Sequence, residues 1–433
     1  MTSRTVRSRL TAIVVFALAL PHAGGAQGAA SNKLGFAPDR LARIDRFLQQ
    51  YVDSNRIGGA VGLVLRDGKV AYEKSVGWAD KESARRMTPD AIFRIASQSK
   101  AFTSAAILML VEEGKIALSD PVSRFIPAYA HTTVALRSDS GRTPVPAKRQ
   151  ITIKDLITHT AGISYGTDNY IAQQYAAKQL GPAAGWGWYT ADKEEPVCAS
   201  MERLASLPFV AQPGEAFVYG YNIDILGCVV ERASGIPLDE FFRTRITAPL
   251  GLNDTYFFLP TAKRSRLVTV YADSAERLLR APDGPRGQGN YVDGPRKNFA
   301  GGAGLVSTAR DYARFLQMIL NRGEFNGVRY LSPKMVDLMT SNQIGVYQSP
   351  GKGFGLGFET VEKLGADGLA SVGAFGWGGA YGSTYKVDPK EGLVIVFMIN
   401  QLPLRTDIAG KFPTLVYQAL VESRMGTVVG RGG

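Results

Sequence analysis

Between Asp39 and Asn55, apolar residues recur at Leu41, Ile44, Leu48, Tyr51 and Val52, three or four positions apart. That spacing predicts an amphipathic helix with one buried stripe. Ala60 to Leu65 is a short apolar run, Asp67-Gly68 is a hairpin turn signal, and Lys69 to Lys74 is placed to pair back. The chain therefore opens as helix, strand, turn, strand. Its end mirrors this order: Tyr385 to Asp388 reads as a strand, Pro389 to Gly392 as a turn, Leu393 to Ile399 as a buried strand and Thr406 to Ser423 as a helix. One antiparallel sheet shared by the two ends, covered by the terminal helices, would bury both patterns.

The middle has a different rhythm. Phe102 to Glu113 reads as a helix stopped by Gly114, and Ile153–Ile157, Ala199–Leu207, Ile223–Ala233, Leu238–Arg243, Ala309–Asn321 and Pro333–Thr340 also have helical spacing. The expected organisation is an α/β lobe from about residues 36–95 and 300–433, with a mainly helical lobe of about 96–299 inserted. Two stretches read as long loops, Ser138 to Arg149 and Ser164 to Val197. The second carries Gly185-Trp186-Gly187-Trp188-Tyr189.

The first residues change the picture of where the protein works. Arg4, Arg7 and Arg9 precede an apolar stretch from Leu10 to Leu20, then Pro21 and the small residues Gly24-Gly25-Ala26. That order is expected of a signal peptide over residues 1–26, which implies a periplasmic or secreted protein. Losing three arginines takes the formal charge from +12 to +9. There is no block of consecutive Lys/Arg and no nucleic-acid motif, and nothing later reads as a membrane span. Cys198 and Cys228 could bridge in an oxidising compartment, but thirty residues of spacing prove nothing, and two buried thiols are the plainer reading.

Three short segments carry candidate chemistry. The first is Ser97-Gln98-Ser99-Lys100, running straight into the helix through Leu108 and Leu110. If Ser97 opens that helix, Lys100 lies one turn on and faces the same side. Serine is a poor nucleophile at neutral pH and needs a base, which a lysine supplies only when desolvation or neighbouring positive charge makes it release its proton. The helix N-terminus favours an alkoxide there. Taken alone, the motif is weak and is better explained by a helix-capping serine and a solvent-facing lysine. The second is Phe217-Val218-Tyr219-Gly220-Tyr221-Asn222, leading into Asp224-Ile225-Leu226-Gly227, where a tyrosine entering a helix can act as a proton relay. The third is Phe375-Gly376-Trp377-Gly378-Gly379-Ala380-Tyr381-Gly382, whose glycines allow close backbone approach and whose free N–H groups could serve an oxyanion hole.

Together these segments resemble the serine β-lactamase and penicillin-recognising superfamily, in its class C-like branch, and within it the carboxylesterases of esterase family VIII. Phe93 to Lys100, Ile151 to Gly162, Pro213-Gly214-Glu215, Leu226 to Gly235, Gly301 to Ala309 and Trp377 to Asp388 occur in the family's order. The resemblance implies the fold class α/β plus all-α, β-lactamase/transpeptidase-like, and an acyl-enzyme mechanism. It implies Ser97 as nucleophile, Lys100 as the lysine sharing its proton, Tyr219 as general base and acid, and the N–H groups of Ser97 and Ala380 as the oxyanion hole. Trp377, Gly378, Gly379 and Tyr221 would contact substrate.

Two departures refine this. The β-lactamases of the branch carry Lys-Thr-Gly where this chain has Trp377-Gly378-Gly379, so a lactam carboxylate loses a cation and an apolar acyl group gains a surface. Tyr219-Gly220-Tyr221 stands where the lactamases have Tyr-x-Asn, so Asn222 is one place late for the substrate amide. The expected substrate is a small or medium acyl ester. The rivals are an amide hydrolase of the same fold, either a weak β-lactamase or a peptidase, and a catalytically dead scaffold. A Ser-His-Asp triad is disfavoured: beyond the signal peptide only His131 and His159 remain, there is no Gly-x-Ser-x-Gly elbow, and His159 reads as a buried structural histidine. No His/Cys/Asp cluster has metal-ligand spacing, so no metal or cofactor is expected, and the oligomeric state is open.

Overall fold

The computed structural model describes Met1 and residues 34–424, apart from 139–140, 168, 181–189, 275–276, 286, 346 and 348. The expected signal segment after Met1 and the Gly185–Tyr189 stretch lie outside the described residues.

Helix α1 (Pro38–Asp53) opens on a proline, whose missing N–H and fixed φ suit a first helical turn. It buries Leu41, Ile44, Leu48 and Tyr51. It stops before the expected Asn55, which turns into the left-handed region at φ 56°. Strands β1 (Gly59–Arg66) and β2 (Lys69–Asp80) form the expected hairpin, with β2 running six residues further than its apolar pattern. Strands β3 (Arg85–Arg86), β4 (Lys352–Phe354), β5 (Glu359–Val361), β6 (Phe375–Gly378), β7 (Thr384–Asp388) and β8 (Leu393–Met398) complete one sheet in the order β4-β5-β6-β7-β8-β1-β2-β3. The two chain ends meet in the antiparallel β1/β8 pair, with Val61 opposite Met398 and Val64 opposite Ile395. All eight residues of β1 are buried, and up to Leu65 it reads as a continuous apolar run rather than an alternation, closed by Arg66 paired with Glu391.

On one face of the sheet, Ile395 and Phe397 pack with α1 and with the C-terminal helix α5 (Ile408–Ala419). On the other, Tyr385, Val387, Val394 and Val396 join a larger core built with the middle of the chain. The centre of that core is α2 (Ser99–Glu112), buried from Ser99 to Leu110 on every side. A helix apolar all round belongs inside the protein. It begins three residues before the expected Phe102, preceded by a 3₁₀ turn over Ala96–Gln98. Helix α3 (Asn222–Ser234) packs beside it, and α4 (Ala309–Leu320) meets it through Tyr312 and Phe315 against Phe102; α3 ends on Gly235 at φ 78°, a conformation that suits glycine.

Both expected long loops contain structure. Residues 138–149 belong largely to a hairpin, Thr133–Ser138 against Gly141–Pro146, whose second arm was masked by Pro144, Pro146 and its polar residues. Residues 164–197 include helix Asn169–Ala177 and a 3₁₀ turn at Thr190–Asp192. Cys198, in helix Val197–Leu204, is bonded to Cys228 in α3, with Cα atoms 5.0 Å apart, where two free thiols were the plainer expectation. The spacing of thirty says nothing about two helices lying side by side.

Candidate active site

Ser97 occupies the 3₁₀ turn that feeds α2 and is 8% exposed. The residue before it, Ala96, is held at φ 44°, where an L-residue is strained by about 1–3 kcal/mol. Burial of Ala96 against Val270, Ala281 and Tyr381 holds it there. Lys100 lies one turn on, 2% exposed, and its Nζ contacts Ser97 Oγ at 3.2 Å, Tyr165 Oη at 2.9 Å and Gly302 O at 2.7 Å. The carbonyl of Gly302 can only accept. The two hydroxyls can accept from an ammonium or donate to an amine, so this geometry holds Lys100 in either protonation state.

Tyr219 enters from the segment before α3. Gly220 fits there because a Cβ would lie 2.2 Å from Ile163 O. That close approach sets Tyr219 beside Tyr165, ring centres 5.6 Å apart, and brings Lys100 Nζ to 4.8 Å from the Tyr219 ring centre. Among the described residues, no hydrogen bond links Tyr219 directly to Ser97; Lys100 and Tyr165 stand between them. Burial, reinforced by Tyr219, pushes the Tyr165 phenol well above its usual range, so it stays a neutral hydroxyl.

Trp377 lies within β6, paired with Tyr385, rather than ahead of a strand as expected. Its indole N–H donates to Tyr219 Oη at 3.0 Å. The tip of the β6/β7 hairpin rests on the chain just before Ser97: a Cβ on Gly379 would lie 2.4 Å from Ile95 O. Gly379 N–H is taken by Ser383 O at 2.8 Å, whereas no backbone hydrogen bond among the described residues takes the N–H of Ser97 or Ala380. Tyr221 packs edge-on against Tyr165, 4.8 Å between ring centres, and is not among the residues lining the cavity at Ser97.

Two residues of this site carried no assigned role in the sequence. Tyr165 looked like the second residue of a loop. Asp224, in the first turn of α3, is buried beneath Gly302 and accepts that residue's N–H at 3.1 Å. Burial raises its carboxyl, while Lys100 and the Gly302 N–H oppose the rise. Glycine is required at 302 because a Cβ would lie 2.3 Å from Asp224 Oδ2. The link Asp224–Gly302–Lys100 thus runs through backbone, where no side-chain motif could announce it. His159 is fully buried, its Nδ1 3.0 Å from Asn222 Nδ2. An amide nitrogen can only donate, so its two N–H groups are shared among His159 Nδ1, Ile163 O and Val218 O, Nδ1 accepts, and the neutral imidazole carries its proton on Nε2. The His159 ring packs 4.6 Å from the Tyr219 ring at a tilt of 43°, and Asn222 is committed to His159 rather than to the cavity.

The cavity at Ser97 has a volume of about 740 Å³. Trp377, Tyr219 and Tyr165 wall it, and among its lining residues the only cation is Lys386, which pairs with Asp367. Among the described residues no three His, Cys, Asp or Glu side chains converge on a metal position, and no helix is long and apolar enough to cross a membrane.

Residues 44–415 match the family described as Beta-lactamase. The chain belongs to that family. Esterase EstB of Burkholderia gladioli is 33% identical over 381 residues, 84% of this chain and 91% of EstB. Lovastatin esterase of Penicillium rubens is 29% identical over 84% of this chain and 94% of its own length. Among solved structures, EstCE1, described as a hydrolase with promiscuous acyltransferase activity, superposes with a TM-score of 0.74 at 28% identity, over 91% of this chain and 100% of that one. The β-lactamase/transpeptidase-like fold expected from the motifs is the fold observed, and this member of the family is a serine hydrolase.

Proposed function

We propose that this β-lactamase-family member is an exported carboxylesterase, cleaving small and medium acyl esters through an acyl-enzyme on Ser97. The observation that carries this reading is Trp377. At the edge of the cavity, where the class C-like lactamases place a lysine for the lactam carboxylate, stands an indole whose one N–H is already bound to Tyr219. The cavity therefore offers an apolar wall to a neutral ester and no free cation to an anionic drug. The esterase names of EstB and the lovastatin esterase support the same substrate class.

The chemistry follows from the contacts. Ser97 attacks the ester carbonyl as its proton passes to Lys100, with Tyr165 and Tyr219 next in line. The N–H groups of Ser97 and Ala380 hold the oxyanion, which a preorganised donor pair stabilises without solvent reorganisation. The relay returns the proton to the departing alcohol. Water then repeats the sequence and frees the acid. Indole donation to Tyr219 leaves that tyrosine's own proton free to move.

The test compares kcat/KM for p-nitrophenyl butyrate and nitrocefin, with fluorophosphonate labelling located by mass spectrometry. The esterase reading expects the ester to be preferred, labelling on Ser97, and loss of at least about a thousandfold in Ser97→Ala. A preference for nitrocefin would replace it with the amide-hydrolase reading, and absence of labelling with the scaffold. Export is checked by N-terminal sequencing of protein from the periplasm or medium, expected to start near Gln27.

A further inference from the structure

The cavity at Ser97 does not end at the catalytic face. In β6, Trp377 points toward the helical part, while Gly376 and Gly378 fall on the opposite face, toward α5. Strand β5 pairs with β6 only at Phe375 and Gly376, so among the described residues no strand covers the edge of β6 from Trp377 onward. The cavity at Ser97 is lined from both faces of the sheet: besides Tyr165, Tyr219 and Trp377, its walls include Ile395, Leu404, Ala409 and Pro413 under α5, with Val361 and Leu369. Leu369, which lines the groove, is 54% exposed and forms an apolar lip where it opens to solvent. The charges in this region are already matched. Lys352 bonds Glu359 at 2.7 Å and Asp367 at 3.2 Å, and Lys386 pairs with Asp367, giving two cations for two carboxylates. The groove therefore calls for a neutral, apolar occupant, and its continuity with Ser97 identifies that occupant as part of the bound ester.

We propose that the groove under α5 is a chain-binding subsite, which takes an aliphatic arm of the ester over the glycine edge of β6 and favours medium-chain over short-chain esters. This rests on the esterase reading above. The arm is the acyl or the alkoxy chain, and two substrate series tell them apart: p-nitrophenyl esters from acetate to octanoate, and acetates of alcohols from ethanol to octanol.

Gly410 of α5 lines the groove, and a Cβ there would meet nothing within 4 Å. Gly410→Phe can therefore fold, with a gain in helix propensity, while narrowing the groove. Leu369→Ser removes the exposed lip. The expected result is a rise in kcat/KM of at least tenfold along one series, with most of that rise lost in Gly410→Phe and part of it in Leu369→Ser. The series that rises names the arm. Two flat series with esters still turned over, or a rise that neither variant alters, would overturn the subsite and leave the esterase reading intact. Binding of unreacted p-nitrophenyl octanoate and acetate to Ser97→Ala, read by tryptophan quenching, and competition of octyl acetate against that binding repeat the comparison without turnover. If wild type turns over no ester, the esterase reading fails, and this binding ratio in the presence and absence of Gly410→Phe still decides the subsite: a tighter octyl chain that the substitution weakens supports it, and equal affinities reject it.

Discussion

Replacing Trp377 with phenylalanine isolates one hydrogen bond. The indole is half-buried, its ring 5.3 Å from Tyr219 and 5.4 Å from Phe354, and phenylalanine keeps an aromatic ring in that cluster. What disappears is the N–H donated to Tyr219 Oη at 3.0 Å. If the tyrosine oxygen stays neutral throughout the reaction, the lost bond is worth about 0.5–1.5 kcal/mol; if it carries negative charge in the transition state, about 1.5–3 kcal/mol. At about 1.36 kcal/mol per decade, the first case lowers kcat/KM by roughly 2- to 13-fold and the second by roughly 13- to 160-fold. The assay is p-nitrophenyl butyrate hydrolysis by the wild type, Trp377→Phe, Tyr219→Phe and the double variant, with urea unfolding to confirm that each is folded. Because the N–H acts through Tyr219, Trp377→Phe should cost almost nothing once Tyr219 is already phenylalanine. An equal cost in both backgrounds would show that Trp377 works independently of Tyr219. No cost in either would remove the indole from the machinery.

Three further outcomes follow from the geometry. Tyr165→Phe removes the hydroxyl 2.9 Å from Lys100 Nζ and should lower kcat/KM by roughly 13- to 160-fold on the same assay, while a near-wild-type rate would take Tyr165 out of the relay. Opening the Cys198–Cys228 bridge by the double alanine change frees a loop of 30 residues in the unfolded chain and should reduce unfolding free energy in urea by about 3–4 kcal/mol; an unchanged midpoint would refute this. Burial, with Lys100 adding to it, holds the His159 imidazole well below its usual range, so below pH of about 6.5 the unfolded chain binds one proton more than the folded protein. Stability should therefore fall by about 1.4 kcal/mol per pH unit through that window as pH drops, and His159→Asn, which tolerates the left-handed φ of 57°, should remove this component; equal slopes in the two proteins would contradict the assignment.

What the sequence alone determined is what local spacing can encode. Ser97 and Lys100 are three residues apart at a helix start, so backbone geometry alone brings them to one side. The apolar runs at both chain ends announced strands, and β1 pairs with β8 because each is too apolar to face water. Trp377 in place of a lysine was readable as a change of chemistry, although not as a donor to Tyr219. Helix ends slipped by a few residues wherever a left-handed residue or a 3₁₀ turn intervened, as at Asn55 and Ala96. The hairpin over residues 133–146 was missed because prolines and polar residues erase the strand period. Tertiary structure decided the rest. Tyr165 meets Lys100 across 65 positions, Gly302 meets it across 202, and Asp224 reaches it only through the Gly302 backbone. The bridge between Cys198 and Cys228 depends on two helices lying together, and the groove under α5 on where β5 stops pairing with β6. None of these contacts has a periodic signal, because each is set by the close packing of segments distant in the chain, and spacing along the chain carries no record of which backbones touch.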